Sequence, residues 1–205
     1  MEDVKNSLLE WGVAGTALPG FSESGDRHVF QPFPQGVLVA VMDGLGHGVE
    51  AAEAALEACS ILESDAGENV ISLIKRCHVR LKGTRGVAMS LASFNFRDSL
   101  MIWAGVGNVQ GILLRRDTTS NDREEYLLLR PGVVGSHLPP LQVAVLPVSA
   151  GDSLVFATDG VQSNFDRSYI RSQPPRAAVE SILAQYAKTT DDALILIARY
   201  RGIEA

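Results

Sequence analysis

The chain has 205 residues, 46% of them hydrophobic, a formal charge of −6 and an isoelectric point near 5.2. That is enough apolar material to bury a sizeable core in one domain, 1–205, and it leaves no basic face for nucleic acid, whose phosphates need one. The apolar runs are strand-sized and the acidic start "MEDVKNSLLEWG" lacks the basic and apolar regions of a signal peptide, so a soluble cytoplasmic protein with no membrane partner is expected.

In chain order, "WGVAGTAL" and "GVLVAVMD" have the β-branched, apolar or alternating content of strands. Two helices follow. Ala51, Ala55, Cys59 and Leu62 recur at helical spacing, as do Val70, Ile74, Cys77 and Leu81, and "SDAGEN" connects them as an antiparallel pair. Both cysteines fall on apolar helix faces, so buried thiols are expected rather than a disulfide or a reactive pair. "GVAMSLASFN", "LMIWAGVG" and "VQGILLRR" then read as consecutive strands, with "AGVGNVQG" supplying Gly-Asn chemistry that suits a hairpin turn. "TTSNDREE" reads as a polar hairpin tip and "RSYIRSQPPR" as a mobile connection. "LQVAVLPV", "DSLVFATD" and "ALILIARY" complete about eight strands, with one late helix over 176–188. Runs of strands separated from runs of helices predict an α+β fold with antiparallel sheets covered by helices, rather than a doubly wound βαβ fold.

The stretch "VLVAVMDGLGHGVEAAEAALEA" carries the chemistry question, because it places Asp43 where a strand stops. A dinucleotide fingerprint would need Gly where Val49 stands, and a phosphate-binding P-loop would need Lys followed by Ser or Thr. A helix cap beside a glycine-permitted turn is the plain alternative. A second apolar strand, however, also runs into Asp-Gly at Asp159 and Gly160, Asp26 precedes Asp43 by seventeen residues, and Asp191 and Asp192 open the last strand. Carboxylates gathered at strand ends repel one another and raise their pKa values unless a cation joins them. Oxygen-only ligands without a His or Cys cluster favour Mg²⁺ or Mn²⁺ over Zn²⁺, and Gly44 lets the backbone come close enough for its carbonyl to serve as a ligand.

"SGD", "VAVMDGLGHG", "VFATDGV" and "DDALILIARY", in this order from Asp26 to Asp192, resemble the metal-dependent protein phosphatases of the PPM or PP2C type, in their SpoIIE-like bacterial branch. The resemblance implies a four-layer αββα sandwich of two packed antiparallel sheets, with a two-metal centre at one edge. It implies Asp43 as the carboxylate bridging both metals and Gly44 as a carbonyl ligand, Asp159 and Asp191 on the first metal, Asp26 on the second, and Asp192 in a supporting position. Asp43 and Asp159 are the residues expected to be essential to catalysis. Ala193-Leu194 replaces the x-Thr of the pattern, which removes a supporting hydrogen bond. No phosphate-gripping Arg has a clear counterpart; Arg27 and Arg85 are substitutes to weigh against solvated surface arginines.

The chemistry so implied is phosphoserine or phosphothreonine hydrolysis with two Mn²⁺ or Mg²⁺ ions. Cations about 3.5 to 4 Å apart can share a water, lower its pKa and aim it in line at phosphorus, so no side-chain nucleophile is needed. His47 is the nearest candidate in sequence to protonate the leaving oxygen, with a turn or surface histidine as the plainer reading, and His28, His78 and His137 have weaker claims. Among compact members of the branch the chain is similar to the feedback phosphatases of the bacterial stressosome, which implies phosphorylated STAS-domain stressosome proteins as partners and a monomer in action. A catalytically silent phosphoprotein-binding module of the same fold is the alternative.

Overall fold

A computed structural model describes residues 8–116 and 124–202. Most of "TTSNDREE", and the acidic start over 1–7, lie outside the described residues. The elements run β1 (Leu9–Thr16), β2 (Asp26–Phe33), β3 (Gly36–Gly44), α1 (Val49–Ser64), α2 (Val70–Arg80), β4 (Val87–Asn95), β5 (Leu100–Val106), β6 (Gln110–Leu114), β7 (Glu124–Tyr126), β8 (Ala144–Pro147), β9 (Ser153–Ala157), α3 (Ser168–Ser172), α4 (Pro175–Tyr186) and β10 (Ala193–Tyr200). Two five-stranded sheets result, in the orders β1-β10-β9-β6-β7 and β2-β3-β4-β5-β8, with every ladder antiparallel.

The apolar runs explain the layering. Along β3, Leu38, Ala40 and Met42 face the helix pair α1 and α2, while Val37, Val39 and Val41 face the opposite sheet. Along β10, Ala193, Ile195 and Ile197 lie under α4, and Leu194, Leu196 and Ala198 meet the β3 side chains between the sheets. A strand covered on both faces has no polar side to show, which is why both segments read as unbroken hydrophobic stretches. Three apolar layers therefore stack as helices, sheet, sheet, helices, in agreement with the α+β sandwich expected from the sequence.

Local chemistry sets the helix ends. Asn69, at the end of "SDAGEN", accepts a hydrogen bond from the Ser72 amide at 2.9 Å and caps α2. Pro175 opens α4, where its missing N–H has no partner to lose. Both cysteines are buried and free, and burial pushes their thiols up to about 12.

Three expectations need correction. The strand β2 is absent from the sequence reading because Arg27, His28, Gln31 and Pro32 break its apolar pattern; as the first strand in its sheet it tolerates all four. "AGVGNVQG" is no hairpin, since β5 and β6 belong to different sheets and this segment crosses between them. "RSYIRSQPPR" is an ordered connection: α3 buries Ile170, and Arg199 donates to the carbonyls of Ile170 and Gln173.

Leu196, fully buried between the sheets, should cost about 2–5 kcal/mol on truncation to Ala, read as a lower urea midpoint at unchanged m. Val145 on β8, 54% exposed, should change stability by less than about 0.5 kcal/mol on the same substitution.

Candidate metal centre

The hairpin β2–β3 turns through two residues, and its register sets Asp26 directly opposite Asp43. Like charges placed opposite each other on a ladder destabilise it. On the other sheet, β9 ends one residue before Thr158 and Asp159, and β10 begins immediately after Asp191 and Asp192. Thr158 staples these ends: its amide donates to the Leu194 carbonyl at 3.0 Å and its hydroxyl accepts from the Leu194 amide at 2.9 Å. The hydroxyl proton then goes to Asp26 Oδ2, 2.7 Å away, because that is the shorter of its two acceptor contacts. One buried threonine thus fixes a carboxylate of the first hairpin to the strand ends of the opposite sheet.

Asp192 does related work. Its two carboxylate oxygens accept from the amides of Leu18 at 2.7 Å and Gly25 at 2.6 Å, tying down both ends of the loop between β1 and β2. The Asp192 amide donates to Asp191 Oδ1 at 2.9 Å. Asn108, in the crossover segment, donates through Nδ2 to Asp159 Oδ2 at 2.8 Å. Lys188 donates through its ammonium to the Asp159 carbonyl and through its amide to the Gly160 carbonyl, the latter at 2.8 Å.

The two glycines after aspartate have a common cause. A Cβ at Gly44 would lie 2.1 Å from the Ala51 carbonyl oxygen of α1, and one at Gly160 would lie 1.8 Å from the Asp192 carbonyl oxygen. No side chain fits either place, and the close approach carries each carboxylate up against the next element. The Gly44 amide donates to the Gly25 carbonyl at 3.1 Å, which locks the loop before Asp26 to the strand end after Asp43.

The electrostatics show what the carboxylates lack. Burial, then the facing Asp43, pushes Asp26 from the ordinary 3.8 up to about 8, against the pull of its Thr158 hydrogen bond. Burial, then Asp159 and Asp191, pushes Asp43 up to about 7, with an Asn108 hydrogen bond working the other way. Asp191 is raised by its burial and by Asp159. Among the described residues none of these aspartates takes part in an ion pair. Nor do three carboxylate, imidazole or thiolate groups there close into a finished ligand cage. The carboxylates nonetheless repel one another, as an oxygen-only donor set with excess negative charge, and that chemistry suits a hard divalent cation such as Mg²⁺ or Mn²⁺.

The structure thus gathers Asp26, Asp43, Asp159 and Asp191, with Gly44 at the end of β3, and places Asp192 beside them as an anchor. Arg27 turns away: its guanidinium donates to the Ser24 carbonyl at 2.6 Å and the Asp26 carbonyl at 2.9 Å. Arg85 is exposed and paired with Glu50 at 2.5 Å. His47 is exposed and packs on the Phe21 ring, with centroids 4.5 Å apart. His28 lies half-buried against Trp11, and burial lowers its pKa. His78 accepts from the Gly135 amide at 3.0 Å, and His137 is exposed, its carbonyl accepting from the Val133 amide at 2.8 Å. Of the supporting residues, Thr158 stands inside the repeated strand-to-aspartate pattern and Asn108 inside the Gly-Asn segment read as a hairpin turn, while Lys188 has no local signal in the sequence. Leu194, where the pattern has threonine, supports the site through its backbone groups to Thr158.

The folded-state pKa values of Asp26 and Asp43 lie above 3.8, so the folded metal-free protein keeps protons that the unfolded chain has lost. Its stability should therefore fall as pH rises from near 4 through about 8. Urea midpoints in chelator across that range check this, and Asp26→Asn should flatten the decline.

Comparisons with known proteins show the family and the fold. The sequence profile of the family described as Stage II sporulation protein E (SpoIIE) matches residues 34–201. The phosphoserine phosphatase RsbX of Bacillus subtilis (strain 168) is 26% identical over 178 residues, 87% of each chain. A chain from a structure of the bacterial stressosome, described as a modular system adapted to control secondary messenger signalling, superposes with a TM-score of 0.87 at 29% identity, covering 93% of this chain and 99% of that one. A crystal structure of RsbX in complex with magnesium gives 0.83 at 24% identity over 94% and 95%. The PP2C phosphatase domain of SpoIIE from Bacillus subtilis gives 0.73 at 18% over 96% and 64%. The chain belongs to the SpoIIE family of PP2C-type serine/threonine phosphatases.

Proposed function

We propose that this phosphatase hydrolyses phosphoserine or phosphothreonine on signalling proteins with two divalent cations, Mn²⁺ or Mg²⁺, held by Asp26, Asp43, Asp159, Asp191 and the Gly44 carbonyl. The observation that carries this reading is the set of mutually repelling carboxylates, from buried Asp26 to exposed Asp159, with Asp26 and Asp43 raised to about 8 and about 7 and none of the four in an ion pair among the described residues. Bound cations would neutralise charge on the phosphoryl group and acidify the attacking water. In the reaction a bond from the water oxygen to phosphorus forms, the ester bond to the serine or threonine oxygen breaks, and that oxygen takes up a proton.

The chain's own residues supply rigidity. Asp43 occupies the bridging place of the family pattern, between the Asp26 side and the Asp159–Asp191 side. Thr158 orients Asp26, Asn108 orients Asp159, and Asp192 holds the loop from which Asp26 projects. Each support leaves the carboxylate it touches fewer rotamers, and fixing ligands before charge develops is what makes electrostatic catalysis effective.

The likeness to RsbX and to a stressosome chain supports phosphorylated stressosome proteins as substrates; we take these to be STAS-domain proteins met in the cytoplasm by a monomer. No helix among the described residues is long and apolar enough to cross a membrane.

Phosphate release from phosphoserine peptides, followed during Mn²⁺ and Mg²⁺ titrations, tests the reading. Activity should require metal and fall ~100-fold or more in Asp43→Asn, the scale of losing a group that stabilises the transition state. Metal-independent release, or an unaffected Asp43→Asn, contradicts it.

A further inference from the structure

At the end of the sandwich away from the carboxylates, positive charge collects on a protein whose formal net charge is −6. β10 runs eight residues from Ala193 beside Asp192 to Tyr200, so its far end lies roughly 25 Å from the site at about 3.3 Å per residue. Two adjoining cavities there, of about 280 Å³ and about 450 Å³, share Arg116, Gly151, Arg171 and Arg199. The second also reaches Arg201 and Glu10.

These arginines are differently placed. Arg199 is fixed by three hydrogen bonds, from Nε to Ser153 Oγ at 3.3 Å and from its guanidinium to the Ile170 and Gln173 carbonyls, none of which neutralises it. Arg116 has its amide anchored to Asp152 Oδ1 at 2.9 Å, and its stem lies across Gly151, where a Cβ would sit 2.2 Å from Arg116 Cδ. Among the described residues its guanidinium makes one long contact, 3.5 Å to the Ala150 carbonyl. Arg171 is exposed on α3. Among the described residues, none of these three is paired with a carboxylate, whereas Arg115 is consumed by Glu125 and Asp152, and Arg201 by Glu10. Among the described residues the outcome is a groove with two exposed guanidinium groups, Arg116 and Arg171, beside the fixed but uncompensated charge of Arg199, and one acidic residue, Glu10, at its rim.

We propose that this groove binds an acidic peptide segment of a partner protein, a docking site separate from the carboxylate cluster. Guanidinium groups take carboxylates through paired, charge-assisted hydrogen bonds, and a local positive field on an acidic protein selects where an acidic partner can approach. The overall negative charge disfavours nucleic acid as occupant. A second copy of this chain offers the acidic face of α1, yet Glu50 and Glu57 there are already paired with Arg85 and Arg80.

The test uses a fluorescein-labelled octaglutamate peptide and the full chain, read by fluorescence anisotropy at low and physiological salt. Wild type should bind, the affinity should fall with salt, and the double variant Arg116→Glu/Arg171→Glu should bind at least tenfold more weakly, with Arg116→Gln/Arg171→Gln changing in the same direction. Both variants should keep the wild-type melting curve and rate on a short phosphoserine peptide without acidic residues. Absence of wild-type binding at low salt overturns the proposal, as does equal binding by wild type and variants. Displacement by inorganic phosphate at matched charge concentration reassigns the groove to small anions. A salt-sensitive dimer lost in the variants, without peptide binding, reassigns it to a second copy.

Discussion

Asp26 and Asp43 sit opposite each other across an antiparallel ladder, in a place where burial and mutual repulsion push both carboxyl groups well above their ordinary range. A sheet left to itself would not put two acids there. The pairing persists because the hairpin is held from outside: Thr158 of the opposite sheet bonds Asp26, and the backbones around Gly44 and Gly160 are pressed against Ala51 and Asp192. The fold thus stores an electrostatic cost in one spot and spreads the constraint over two sheets.

This arrangement links architecture to chemistry. Both sheets contribute acids at the same edge, so a cation held between them would also join the two layers. Asp192 uses its charge differently, accepting two backbone amides and so pinning both ends of the loop between β1 and β2. The two adjacent aspartates therefore differ: Asp192 fixes the frame through two backbone amides, and Asp191 accepts the Asp192 amide and repels Asp159.

Legibility in the sequence followed the range of the interactions. β3 and β10 were readable because burial on both faces leaves an unbroken apolar run, and the helix pair because its spacing is local. β2 was not, since an edge strand can carry Arg27, His28, Gln31 and Pro32 without loss. The acids were visible as strand-ending Asp-Gly pairs and a final Asp-Asp, but their supports were hidden. Thr158 reaches Asp26 across 132 positions, Asp192 reaches Gly25 across 167, and Asn108 reaches Asp159 across 51, distances over which no pattern in the chain announces a contact. Five residues of α3 were likewise too few to show a helical period.

The most direct measurement is calorimetric titration of Mg²⁺ or Mn²⁺ into metal-free protein at pH 7, repeated in buffers of different ionisation enthalpy so that released protons are counted. If cations complete a cluster in which Asp26 and Asp43 are raised to about 8 and about 7, binding should reach two ions per chain and expel protons, with less release from Asp26→Asn. Binding without proton release, or no binding by the folded protein, would contradict the view that this fold is organised around carboxylates awaiting a cation.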